Sequence, residues 1–185
     1  MTIYLIRHGK TEANERHLYC GSSDLPLSEK GAAALRSKRY RVSGKRFVTS
    51  GMLRTEQTLR LLFGDVPHEV DNRFREVDFG DFELRSYEEL KEEASYQTWI
   101  TGDNESNVPP NGESGAQMTM RVLEAFRELE HRGEDTVLIT HGGVIAAIMA
   151  NLFPEEGKNR YQWQPKPGEG YRLCDETYDE LNGEE

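Results

Sequence analysis

Cysteine is scarce in this chain: Cys20 and Cys174 are the only two in 185 residues. Two distant thiols make neither a disulfide framework nor a paired metal site, so free thiols are expected. Long apolar runs are missing as well. Stretches such as VLIT and VIAAIMA fall far short of the ~20 residues that cross a bilayer, so no membrane partner is expected. Basic charge is the third shortage. With 23 Lys and Arg against 33 Asp and Glu, the formal net charge is -10, which leaves no basic excess for non-specific nucleic-acid binding. No basic segment precedes the apolar residues of MTIYLIRHGK and no small-residue cleavage site follows them. An export signal is therefore not expected, and the cytoplasm is the default compartment. No internal repeat or Pro/Gly/Ser-rich linker divides the sequence, which points to one domain over residues 1–185.

What is present alternates in kind. TIYLI and EDTVLITH are apolar without polar alternation, as strands covered on both faces are, and KRFVTS is a weaker third strand. Between them lie helical stretches. LSEKGAAALRSKRY starts behind Ser28 as N-cap, and MLRTEQTLRLLFG stops at Gly64. After PPNGES, Ser114 and Gln117 suit a capping box, and Met118, Val122, Phe126 and Leu129 share one helical face. VIAAIMANLF, behind Gly142 and Gly143, is apolar almost all round and belongs deep in the core. Strands alternating with helices of this length predict an α/β three-layer sandwich with a largely parallel central sheet. Residues 86–110 differ: they are polar, helical in their first half, and carry Tyr87, Tyr96 and Trp99, as a small helical cap would. Tyr96 and Trp99 could wall a pocket or pack together beneath the cap, and their i, i+3 spacing favours packing. The end of the chain, DETYDELNGEE over 175–185, holds six acids and no Lys or Arg, and reads as a solvated, partly disordered acidic tail.

Open α/β sheets bind ligands beyond the carboxyl ends of their strands. LIRHG and LITHGG each deliver a histidine followed by glycine to such an end. Glycine lets backbone N–H groups approach a ligand, and the helix behind Gly142 adds an anion-favouring N-terminus. Arg7, His8 and His141, with the amides of Gly9 and Gly142, therefore make a candidate phosphate site. A single strand-end histidine is more often a structural residue. The matched pair is what singles these two out.

RHGKTEAN, GSSDLPLSEKG, SGMLRTEQT, REVDFGDFE and VLITHGGVIAAI resemble, in order and spacing, the histidine phosphatase superfamily, also called phosphoglycerate-mutase-like. The resemblance runs from Ile3 to about Phe153. It implies that His8 is a nucleophile accepting a phosphoryl group, that Arg7 and Arg54 hold that group, that His141 is the second histidine, and that Glu76 is the proton donor. It further implies a phosphate contact from Asn14, and places Cys20-Gly21 where relatives usually have Ser or Thr before Gly. A thiol is a poorer donor than a hydroxyl, so Cys20 is a departure. Neither metal nor cofactor is implied. The chemistry agrees: charge spread over three phosphoryl oxygens suits planar guanidinium forks, and an attacking histidine must be neutral, with its other ring nitrogen held by a backbone carbonyl. Asp78 and Asp81 lie near Glu76, as charged neighbours of the donor or as ordinary turn acids.

The compact length, LYCG, DFGDFE and EEASYQTWITGDNESNVPPNGES resemble bacterial α-ribazole phosphatases. That resemblance implies hydrolysis of a small phosphorylated metabolite, with α-ribazole 5′-phosphate of cobalamin assembly as the substrate. A phosphoglycerate mutase or sugar-phosphate phosphatase is the alternative, and a non-catalytic binder of phosphate ligands is the alternative of another class. Residues 86–110 carry one cation, Lys91, against six acids, a poor grip for the carboxylate of a mutase substrate. A pure binder would need neither nucleophile nor proton donor.

Overall fold

Each expected strand and helix grows from the residues that signal it in the computed structural model, which describes residues 1–42, 46–103 and 105–183. In chain order the elements are β1 (Thr2–Arg7), α1 (Glu12–Glu15), α2 (Glu29–Arg36), β2 (Arg46–Thr49), α3 (Leu53–Phe63), β3 (Glu69–Val70), α4 (Tyr87–Leu90), α5 (Ala94–Ile100), α6 (Gly115–His131), β4 (Thr136–Thr140), α7 (Gly142–Leu152), β5 (Gly170–Cys174) and β6 (Thr177–Leu181). Ser28 caps α2 by accepting from the Gly31 amide, and Ser114 and Gln117 close the capping box of α6. Helix α2 ends at Arg36, short of Tyr40, because the hydroxyl of Ser37 donates to the Ala34 carbonyl and competes with the helical ladder.

The sheet runs β3-β2-β4-β1-β5-β6, parallel through its first four members and antiparallel at β5 and β6. Both faces are covered. Ile3 and Leu5 of β1 join Leu138 of β4 and the apolar residues of α6 and α7, whereas Tyr4 and Ile6 pack with Val137, Ile139 and Leu59 of α3. This two-sided burial is why neither strand alternates in sequence. The architecture is the expected α/β sandwich with a mostly parallel central sheet.

Register then positions the site. Arg7 pairs with Thr140 and Thr49 with Ile139, so β1 and β4 end level and β2 stops one residue short of them. The next residues, His8, His141 and Ser50, emerge at one edge of the sheet.

The end of the chain departs from expectation. Residues 177–181 are not a solvated tail but β6, paired antiparallel with β5 through a two-residue turn in which Asp175 has φ 54°. Leu181 is 2% exposed and Tyr178 packs against the core, while Asp179 and Glu180 face solvent. An acidic outer edge is a common way to keep an edge strand from pairing with another chain, and composition alone registers only the acids. Lys45 at the head of the expected third strand, Asn104 in the expected cap, and 184–185 lie outside the described residues. Among those described, no helix is long and apolar enough to cross a membrane.

Candidate active site

His8 leaves β1 with its backbone N–H still bonded to the Thr140 carbonyl, so the strand ladder holds its Cα. Its ring Nδ1 lies 2.6 Å from the Gly9 carbonyl and must donate there, which leaves Nε2 without a proton. The side chain is 5% exposed. Burial, then the positive charges of Arg54 and Arg7, hold its pKa well below the ordinary histidine value, against a weaker opposing effect of the Gly9 bond. The imidazole is neutral at neutral pH.

His141, fully buried at the N-cap of α7, stands edge-on to His8 with ring centroids 5.1 Å apart. Its tautomer follows from a directed chain. Thr55 Oγ1 donates to the Met52 carbonyl at 2.7 Å, so it accepts from Ser50 Oγ at 3.1 Å, and Ser50 accepts from His141 Nε2–H at 2.8 Å. His141 Nδ1 is thereby the acceptor for Arg54 Nε at 3.3 Å. Burial and the neighbouring Arg54 push this histidine's pKa well down too.

Arg54 rises from the first turn of α3 and is 1% exposed. Its two Nη groups donate to the carbonyls of Ser23 at 2.8 Å and Gly21 at 2.7 Å. Arg7 is tied by Nη1 to the Pro165 carbonyl at 2.8 Å, and its Nε is buried without a hydrogen-bond partner among the described residues. Buried donors are rarely left orphaned, and a guanidinium N–H in this state is a ready contact for an anion. Gly142 makes room for it: a Cβ there would lie 3.0 Å from Arg7 Cζ.

Glu76 is held by two amides, Val77 N–H at 3.0 Å and Gly143 N–H at 2.9 Å, the second from the start of α7. Arg121 braces the approach by donating to the carbonyls of Arg73, Arg75 and Glu76 while paired with Glu113. Asp78 and Asp81 are turn acids. Asp78 accepts from Ser22 Oγ–H and the Gly80 amide, and Asp81 from Asn111.

Arg7, Glu76 and Gly143 line a cavity of about 300 Å³, whose other walls include Leu18, Tyr19, Cys20, Phe79, Trp99 and Ile100, and also Glu113, Arg160, Tyr161 and Gln164. The two aromatics of α5 divide their roles. Tyr96 is 1% exposed and packs with Phe82 and Leu90, whereas Trp99 reaches the cavity wall. Tyr19 joins both, its hydroxyl 2.6 Å from that of Tyr96. Cys20 also lines the cavity; burial pushes its thiol pKa up, and Sγ–H points to the Ser23 carbonyl at 3.7 Å.

The structure thus brings Arg7, His8, Arg54, Glu76, His141 and Gly142 together. Other expected contacts are engaged elsewhere. Asn14 closes the capping box of α1 with Thr11 and lines a different hollow with Lys10, His17 and Lys30. The Gly9 amide, expected to meet the ligand, donates to Thr58 Oγ1 at 3.0 Å, and the Gly21 amide donates to Glu83 at 2.9 Å. Ser50, Thr55, Glu83, Arg121 and Arg160 were not legible as site residues, though Ser50 ends the predicted strand KRFVTS and Glu83 closes REVDFGDFE. Among the described residues no group of three or more His, Cys, Asp or Glu is arranged to hold a metal ion.

Comparison with known proteins adds the lineage. Residues 3–174 match the family model described as histidine phosphatase superfamily (branch 1). The chain is 32% identical over 181 residues to the adenosylcobalamin/alpha-ribazole phosphatase of Salmonella typhimurium, spanning 91% of this chain and 87% of the relative. The solved alpha-ribazole phosphatase of Shigella flexneri superposes with a TM-score of 0.85 at 28% identity, covering 98% of this chain and 96% of that one. A phosphoglycerate mutase structure from Thermus thermophilus gives a TM-score of 0.75 at 28% identity, covering 98% of each.

Proposed function

The chain belongs to the histidine phosphatase superfamily, and from that premise we propose that it is a phosphomonoesterase working through a phosphohistidine on His8, without metal or cofactor. The observation that carries this reading is the pairing of a neutral, buried His8, its Nδ1–H bonded to Gly9, with the guanidinium groups of Arg7 and Arg54. In the first step Nε2 attacks phosphorus and the P–O bond to the leaving group breaks. Arg7 and Arg54 meet the charge on the equatorial oxygens, and Glu76 gives its proton to the departing alcohol. In the second step the Glu76 carboxylate takes a proton from water as the water oxygen attacks phosphorus. The P–N bond breaks, releasing inorganic phosphate and restoring neutral His8 and protonated Glu76.

For substrate, we infer a small phosphorylated metabolite whose leaving alcohol carries a flat heteroaromatic base, α-ribazole 5′-phosphate foremost, with residues 86–110 acting as cap of one catalytic domain. Two observations support this choice: the aromatic wall of Tyr19, Phe79 and Trp99, and the naming of the Salmonella and Shigella relatives. A mutase reading is disfavoured because the one cation of the cap, Lys91, is paired with Glu88, and Arg160 at the cavity is paired with Glu105. The test is a ranking of kcat/KM over α-ribazole 5′-phosphate, nucleoside monophosphates, sugar phosphates and 3-phosphoglycerate, with His8→Ala as control. Hydrolysis led by the aromatic monoesters and abolished in His8→Ala is expected. Phosphoryl transfer between the positions of phosphoglycerate, faster than hydrolysis of any monoester, would replace phosphatase with mutase.

A further inference from the structure

We propose that Glu83 is a positioning residue of this site: its carboxylate folds residues 21–23 into the two-carbonyl cradle that holds the Arg54 guanidinium against His141. The inference rests on the phosphatase reading for its kinetic consequences, while the geometry stands without it.

Four backbone amides converge on this one carboxylate. Gly21 N–H donates to both oxygens at 2.9 and 3.1 Å, Ser22 N–H at 2.9 Å, Ser23 N–H at 3.2 Å and Phe79 N–H at 3.1 Å. Carboxylate–amide bonds are the stronger class of hydrogen bond, and several on one group fix a loop as a unit. The far side of that loop is where Arg54 sits, with its two Nη groups on the Gly21 and Ser23 carbonyls. The two sides are linked covalently. In a trans peptide the C=O and N–H point to opposite edges, so the Gly21–Ser22 unit that offers its N–H to Glu83 must offer its carbonyl the other way. Pulling the Ser22 amide toward Glu83 aims the Gly21 carbonyl at Arg54, and the Ser23 carbonyl is placed by the loop that the same carboxylate fixes.

Packing closes the alternatives. A Cβ on Gly21 would lie 1.6 Å from the Val77 carbonyl oxygen, so only glycine lets the loop lie this close to the segment carrying Glu76. Asp78 holds the same loop through Ser22 Oγ–H. Glu83 therefore sets the proton donor's segment and the cation's cradle in one register. Asp78, Asp81 and Glu83 look alike in REVDFGDFE, but only Glu83 gathers amides from both segments.

The experiment compares Glu83→Gln and Glu83→Asp with wild type, reading kcat, KM, the pH dependence of kcat/KM, and calorimetric binding of inorganic phosphate. Gln keeps the size but turns an NH2 toward the amides, and kcat/KM should fall about 10²-fold, the scale of losing one preorganised transition-state contact. Asp, which keeps the charge, should recover part of it. The groups facing His8 are Arg7 on its own strand, Arg54 of α3 and His141 ahead of α7, while Glu76 acts on the two guanidinium groups. As Arg54 loosens, the acidic limb of the profile should move up toward the ordinary histidine range. In an Arg54→Ala background, Glu83→Gln should cost little more, because it acts through the guanidinium. Wild-type kcat/KM and an unmoved limb in Glu83→Gln would overturn the proposal, and so would equal losses with and without Arg54. If Glu83→Gln fails to fold, Glu83→Asp carries the same readouts. A wild type that binds phosphate but hydrolyses no monoester would overturn the phosphatase reading alone; about tenfold weaker phosphate binding in Glu83→Gln would still support the cradle, and unchanged binding would refute it.

Discussion

Replacing Gly143 by alanine probes the proton donor without touching it. Gly143 is helical, so the new methyl costs nothing in backbone strain, and alanine gains up to about 1 kcal/mol in helix propensity. The Cβ would lie 2.3 Å from Glu76 Oε1, 3.1 Å from Cδ and 3.2 Å from Oε2. Ordinary carbon contacts begin near ~3.5 Å, so Oε1 must retreat by about 1 Å. Because the methyl meets the far end of a side chain, the carboxylate gives way and the fold persists. Retreat breaks the 2.9 Å bond from Gly143 N–H; for the protonated carboxyl of the proposed mechanism that bond is worth about 0.5–1.5 kcal/mol, which the propensity gain roughly offsets. Thermal stability should therefore change little. Catalysis should not be spared, since misplacing a reacting group by about 1 Å costs on the order of 10²-fold and general acids contribute about 10²–10⁴-fold. The assay is kcat/KM on two monoesters, an alkyl phosphate whose alkoxide needs a proton and p-nitrophenyl phosphate whose phenolate does not. Gly143→Ala should lose about 10²-fold on the first and no more than about fivefold on the second. Equal losses on both, or none on either, would refute Glu76 as proton donor.

Arg54→Lys preserves charge but cannot reach the Gly21 and Ser23 carbonyls and His141 Nδ1 together; kcat/KM should fall about 10²–10³-fold, and near-wild-type kinetics would show that bidentate geometry is not used. His8 and His141 both have folded-state pKa values below the ordinary 6.5. The unfolded chain therefore binds their protons first, and the stability present above about pH 6.5 is lost as pH falls toward the folded values, by up to about 1.4 kcal/mol per pH unit for each histidine. Urea midpoints measured from pH 7.5 downward should fall less steeply in His8→Gln than in wild type; parallel curves would mean that His8 is not buried neutral. Leu181→Ala should destabilise the fold by about 2–4 kcal/mol with kcat/KM unchanged, and no change in the urea midpoint would mean that β6 does not pack.

His8 and His141 were legible because each closes an apolar run, and a parallel register of β1 with β4 leaves their strand ends nowhere to go but side by side. Arg54 and Glu76 were legible only through the resemblance: nothing in LRTEQT or REVDFG, taken alone, separates them from surface charges. Their supports were hidden for another reason. Ser50, Thr55 and Thr58 act through hydroxyl chains whose direction depends on three-dimensional partners, and Glu83 differs from Asp78 and Asp81 only in which amides converge on it. Tyr96 and Trp99 occupy neighbouring positions on α5, yet one is core and the other cavity wall, a division set by the packing of Phe82 and Leu90. Strand β6 was obscured by its acids, which mark an exposed edge rather than disorder. The Gly9 amide shows the converse error. A glycine behind a strand suggests a ligand contact, and here it meets Thr58 instead.

Rapid quenching of the enzyme with a ³²P-labelled aryl phosphate tests the central claim most directly. A label on His8 that is lost in acid and retained in base, formed before steady turnover and absent from His8→Ala, is the predicted result. Steady release of inorganic phosphate with no such label at any quench time, or a label that persists in His8→Ala, would contradict covalent catalysis through His8.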